Sequence, residues 1–158
     1  PLVGWLASVD GARASAARLL TDALRPVGDF LYPPRCPACG ESIGAQSGLC
    51  LSCWDQLAPA TMDADSSLIA ASAYGDVSRK LLLAFKHGGR IALAPLLARL
   101  IAGRIDAVDP RRLIIPVPLH PTRLWKRGYN QSALLGRELA RLGHGRLVVD
   151  GLQRIRRT

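Results

Sequence analysis

All four cysteines of the 158-residue chain lie between residues 36 and 53, as Cys36-Pro37-Ala38-Cys39 and Cys50-Leu51-Ser52-Cys53. Two Cys-x-x-Cys pairs joined by a short Gly-containing loop can turn four thiolates toward one point, the tetrahedral sulfur set that suits Zn²⁺. Four protein ligands leave no open position for a substrate, so the expected role is structural. Two other readings compete. A redox dithiol needs only one pair and ordinarily opens a helix after a strand, and two disulfides would require an oxidising compartment. Four-cysteine zinc uses both pairs at once. A ribbon of this size buries too little apolar surface to fold alone, so the metal would supply its fold.

A second group of chemically capable residues follows the apolar run at Leu113, in LIIPVPLHPTRLWKRGYNQ. The Ile- and Val-rich run reads as a buried strand ended by Pro116 and Pro118. Beyond it comes a basic loop carrying His120, Arg123, Lys126, Arg127, Gly128, Tyr129, Asn130 and Gln131. α/β folds hold anionic ligands at the carboxyl ends of their strands, in loops of this kind. A solvated connection would have the same composition. Lys86 and His87 stand just before Gly88-Gly89, where a cation also suits the end of a helix, and His87 has no neighbour in sequence that marks it as a metal ligand. No Ser-His-Asp or paired-carboxylate set is visible.

These groups need elements to position them. Residues 3–31 carry apolar positions at i, i+3 and i+4, including Leu19, Leu20, Ala23, Leu24 and Val27, which predicts one or two amphipathic helices. Residues 58–67 have a linker's composition. Leu68–Tyr74 reads as a short strand. Asp76 is placed to cap a helix that ends at the glycines after His87, and a second helical stretch runs from Ile91 to Val108 until Asp109-Pro110 stops it. After the basic loop a helix is expected over 131–142, with Gly143 and Gly145 breaking it, and another strand begins at Leu147–Val149. From residue 68 the order is β-α-α-β-loop-α-β, the start of an α/β domain.

Charge is divided along the chain. The total is +9, yet residues 1–75 carry seven acids against four arginines, and residues 76–158 carry seventeen basic groups against five acids. A field of that sign favours polyanions or phosphorylated small molecules, although arginines scattered on helix faces are ordinarily solvated. No run of eighteen apolar residues is present, so a membrane span is not expected. The mixed charge of the first thirty residues does not fit a secretory signal, and a cytoplasmic protein is the expectation.

Taken in order, CPACG, LCLSCW, AFKHGG, IPVPLHPTRLWKRGYNQS and LQRIRRT resemble the competence protein F family, from about residue 30 onward. The most specific element is VPLHxxRxxxRGYNQ. The resemblance implies a zinc ribbon at 32–57 after the helical segment 1–31, a linker at 58–67, and at 68–158 the N-terminal part of a type I phosphoribosyltransferase-like domain. Its fold would be a parallel sheet flanked by helices. It implies 5-phosphoribosyl-1-pyrophosphate or a nucleotide-type ligand, with Mg²⁺, in the setting of DNA uptake. On this resemblance Arg123, Arg127, Gly128, Tyr129, Asn130, Gln131 and Lys86 are the expected ligand-binding residues. Many relatives carry a second set of ribbon cysteines, absent here, so one zinc is implied. The family's ribose-phosphate loop, with two adjacent acids, is also absent. The chain is therefore expected to be the front of a longer protein or a degenerate copy, not a complete transferase. A second expectation is a non-catalytic adaptor, whose ribbon and basic segment contact single-stranded DNA or a competence helicase.

Overall fold

The computed structural model describes residues 33–44, 48–61, 67–105 and 109–156. The amphipathic segment at 1–31 and the middle of the linker lie outside them. Helix α1 (Leu51–Asp55) follows the first cysteine pair and its loop. Helix α2 (Asp76–His87) comes next, and a 3₁₀ turn at Ile91–Leu93 leads into α3 (Ala94–Ala102). Strand β1 (Leu113–Ile114), α4 (Pro121–Arg127), α5 (Gln131–Arg141) and β2 (Arg146–Leu147) complete the order. The two strands pair in parallel, Leu113 opposite Arg146 and Ile114 opposite Leu147. Helices around a small parallel sheet, beside a ribbon, place the chain in the α/β class.

Helix α2 starts one residue earlier than the Asp76 cap predicts. Gly75 is the N-cap, and Ser78 Oγ accepts from the Gly75 N–H at 2.8 Å while donating to the Ala73 carbonyl at 3.0 Å. Asp76 instead sits in the first turn, where its charge suits the helix dipole. The far end is as expected. The Gly88 N–H donates to the Ala84 carbonyl at 3.0 Å, and a Cβ at Gly88 would come within 2.8 Å of that same oxygen.

Three expected elements differ. No strand forms over Leu68–Tyr74: Leu68 and Tyr74 are exposed, and the Ala73 N–H donates to the Ala58 carbonyl rather than into a sheet. The helical stretch after Ile91 is shorter than predicted, ending at Ala102 with the Gly103 N–H donating to Arg99. The strand at Leu113 is not the buried one its composition suggests, since Leu113, Ile115 and Val117 are exposed. Side chains alternate along a strand, and only Ile114 and Leu147 face α5. Gly136 of α5 admits them, for a Cβ there would lie 2.9 Å from Leu147 and 3.1 Å from Ile114. The opposite face, with Ile115, is left exposed, although parallel sheets are ordinarily covered on both sides. The second strand is displaced one residue from the expected Leu147–Val149.

The core is formed by α2 and α3. Val77, Leu81 and Phe85 of α2 recur at one helical face and are buried with Leu93, Ala94, Leu96 and Leu97. Cys36, Leu49 and Cys53 belong to the same contiguous cluster, with Leu134 and Leu135 of α5 packed against it. The principal helix pair is α3 against α5. Ribbon and helices thus share one apolar interior.

Candidate functional site

The first cysteine pair lies in a tight reversal of the chain. The Cys36 N–H donates to the Glu41 carbonyl at 2.7 Å, the Gly40 N–H to the Cys36 carbonyl at 2.8 Å, and the Ile43 N–H to the Pro34 carbonyl at 2.9 Å. Arg35 and Ser42 form an antiparallel bridge. Gly40 makes the turn with φ +82°, a conformation that costs any residue with a Cβ. The second pair opens α1, with Cys50 as its N-cap residue and Cys53 buried. These two local structures bring the four Sγ atoms within 4.8 Å of one another, and Cys39 and Cys50 approach to 3.5 Å. Zn–S bonds of about 2.3 Å in a tetrahedron require sulfurs about 3.8 Å apart. The four thiols fit that requirement with small adjustments. All four are free of disulfides, and they form a site for structural zinc.

Their acidities are pulled apart by the fold. Burial works to raise the Cys36 thiol, but the backbone N–H groups of Cys50, Cys39 and Ala38, directed at its sulfur, outweigh burial and lower it to about 6. Cys53 moves strongly upward, through burial first and then through the neighbouring sulfurs of Cys50, Cys39 and Cys36. Four sulfurs this close cannot all ionise unless a cation neutralises them, which is the condition a bound Zn²⁺ provides.

The second group is arranged differently from the open loop its sequence suggests. Residues 121–127 form α4, with His120 as N-cap. Its Nδ1 lies 2.8 Å from Thr122 Oγ1 and accepts from the Thr122 N–H at 3.4 Å. Pro121 fits the first turn, where no N–H is needed. Arg123 and Arg127, four residues apart, share one face of this helix. Gly128 ends it in the left-handed region at φ +79°, and the chain then turns directly into α5.

Three of the expected ligand residues hold this turn in place. Tyr129 Oη donates to the Phe85 carbonyl at 2.5 Å, and its ring lies 6.3 Å from the Phe85 ring. Gln131, itself buried, donates from Nε2 to the Lys86 carbonyl at 3.3 Å. Asn130 caps α5 by accepting from the Ser132 N–H at 3.0 Å, and its Nδ2 donates to the Val117 carbonyl at 3.1 Å. The carboxyl end of α2, with Lys86-His87-Gly88-Gly89, is thereby joined to the Arg127-Gly128 turn more than forty residues later. Lys86 and Arg123 are exposed and Arg127 is half-buried. No carboxylate among the described residues pairs with any of the three; the described ion pairs involve Arg111, Arg137 and Arg141.

One surface feature has no counterpart in the sequence reading. Two adjoining clefts, about 250 and 360 Å³, share Gly48 and Leu96 between the ribbon and the start of α3. Arg35, Arg90 and Arg99 and the indole of Trp54 line them, over an aliphatic floor of Ile91, Leu93 and Leu49. These residues come from three separated segments, so spacing alone carries no signal of the cleft.

Comparison with known proteins bears first on the metal centre. A double zinc ribbon domain matches residues 27–64, which defines the first part as a ribbon module. Competence protein F of Haemophilus influenzae is 31% identical over 120 residues, 68% of this chain and 48% of that protein. DNA utilization protein YhgH of Escherichia coli O6:H1 is 30% identical over 129 residues, 78% of this chain and 55% of that protein. Its counterpart from Salmonella typhi is 33% identical over 111 residues, 66% and 47% respectively. No solved structure matches the chain. The chain belongs to the competence protein F family, and it spans about half the length of these curated relatives. Among the described residues no helix is long and apolar enough to cross a membrane.

Proposed function

We propose that the protein binds a phosphoribosyl pyrophosphate or nucleotide-type ligand through the cations gathered around the Arg127-Gly128 turn, in the service of DNA uptake. The observation that carries this reading is the join between two cationic turns, Tyr129 to Phe85 at 2.5 Å and Gln131 to Lys86 at 3.3 Å. Arg123 and Arg127 supply guanidinium donors for phosphate oxygens. Lys86 adds a point charge. Gly128, with no atom within 4 Å of where its Cβ would be, leaves backbone open to a ligand's approach. Departure of a pyrophosphate from a ribose carbon needs positioned cations and Mg²⁺ but no protein nucleophile, and the cations at this turn are of the kind required. Binding, not turnover, is the function assigned to these residues. The names of the matched relatives, one for competence and two for DNA utilization, supply the biological setting. Calorimetry with 5-phosphoribosyl-1-pyrophosphate and Mg²⁺ tests the reading. Arg127→Ala is expected to weaken binding by about 1.5 to 3 kcal/mol, the scale of a hydrogen bond to a charged group; the same affinity in both proteins would sink it.

The cleft of Arg35, Arg90, Arg99 and Trp54 favours a second reading, an adaptor for single-stranded DNA. Cations that track a backbone beside an aromatic stacking surface are what such binding uses. An oligonucleotide should bind at low salt and dissociate steeply as salt rises. No binding at low salt removes this reading.

A further inference from the structure

Tyr129 Oη and Gln131 Nε2 both donate to backbone carbonyls at the end of α2. Phe85, whose carbonyl Tyr129 engages, is 2% exposed, and its ring belongs to the buried cluster that contains Cys36 and Cys53. One residue therefore faces both regions, with its side chain in the interior shared with the ribbon and its carbonyl on the cationic turn. Gln131 repeats the connection one residue later, at Lys86.

We propose that Tyr129 and Gln131 are positioning residues that transmit the metal state of the ribbon, through Phe85, to the Arg127-Gly128 turn. This rests on the ligand reading above for what the turn binds, though not for the connection itself. The physical reason is packing. Without metal the cysteine knuckles lose the bonds that hold Cys36 and Cys53 in the interior, and close-packed interiors transmit such a change to their neighbours. The end of α2 is the neighbour that carries Lys86, and the Tyr129 and Gln131 hydrogen bonds are its described attachments to the turn. Zinc would in this way govern a site it does not touch.

The experiment uses the full chain, zinc-loaded and chelator-treated, with inorganic pyrophosphate as the calorimetric probe and hydrogen exchange read over peptides covering 128–134 and 146–149. Chelation is expected to weaken pyrophosphate binding and raise exchange over 128–134 more than over 146–149. Tyr129→Phe keeps the ring and loses one hydrogen bond. It should retain its zinc, bind pyrophosphate about tenfold more weakly, the equivalent of about 1.4 kcal/mol, and respond little to further chelation. Such non-additivity is the mark of two changes acting through one connection. Independent, multiplying effects of chelation and Tyr129→Phe overturn the proposal. So does unchanged exchange over 128–134, or an equal rise over 146–149, which would mean general unfolding. If zinc-loaded protein does not bind pyrophosphate at all, the ligand reading fails, and the exchange comparison alone still decides the connection.

Discussion

The zinc ribbon and the cationic turn are built by opposite strategies. In the ribbon, the residues that do the chemistry also make the structure. Each Cys-x-x-Cys pair lies in one local reversal or helix start, so sequence spacing carries most of the geometry and four sulfurs meet within 4.8 Å. Around Arg127 the work is divided. Tyr129, Asn130 and Gln131 hold the backbone through bonds to Phe85, Val117 and Lys86, while Lys86, Arg123 and Arg127 carry charge. A motif compressed into fifteen residues therefore mixes two kinds of residue, and only long-range contacts separate them.

Removing the metal should break the contrast most severely. Structural zinc contributes on the order of 10 kcal/mol of apparent folding free energy to zinc-finger peptides that the metal alone folds. Here the α3–α5 pair and the sheet supply packing of their own, so the loss should be smaller and fall mainly on the ribbon and the α2 end packed against it. Because Cys36 and Cys53 lie within the helices' own interior, loss extends past the ribbon. Cys53→Ser is expected to abolish stoichiometric zinc and to lower the melting temperature of the whole protein, measured by metal analysis and circular dichroism. A variant without zinc that melts at the wild-type temperature would show that the two regions are independent.

Next in size is the shared interior itself. Leu81 is 1% exposed at the centre of that cluster, and Leu81→Ala should cost about 2 to 5 kcal/mol, as buried leucine truncations do. Denaturant unfolding should also show a single transition if ribbon and helices are one cooperative unit. Two separate transitions would return the ribbon to the status of an appended module.

How far the sequence led depends on the range of each contact. The cysteine set, the glycine stop after His87 and the helix over 131–141 were legible because their causes lie within a few residues. The strand expected at Leu68–Tyr74 failed because β structure requires a partner that local composition does not reveal. The basic loop concealed α4 for a different reason. Pro121 and the αL Gly128 are the start and stop of a short helix, but the cations between them have the composition of a ligand-binding loop. The two adjoining clefts carried no signal in the sequence, being made jointly of three separated segments.

Smaller effects should distinguish the holding residues from the charged ones. Asn130→Ala removes the N-cap of α5 and its bond to Val117, for an expected loss of about 1 kcal/mol. Gly128→Ala meets no atom within 4 Å, so its cost is that of the left-handed conformation alone, about 1 kcal/mol. Thermal unfolding of each should show a loss near this size. No loss in either would mean that the turn is not held as described.

Arg123→Ala should have the smallest effect on stability, within about 0.5 kcal/mol, because the residue is exposed and makes no ion pair among the described residues. Its consequence should fall on anion binding instead. Removing one of several phosphate-facing cations lowers affinity and also flattens the dependence of affinity on salt, because fewer charges are neutralised in the complex. Asn130→Ala leaves every cation in place and should lower affinity without flattening that dependence. The pair of variants thus assigns each residue by two independent readings, stability and salt response. If Arg123→Ala and Asn130→Ala change both in the same proportion, charge and support are not divided in this turn, and it works by the ribbon's strategy after all.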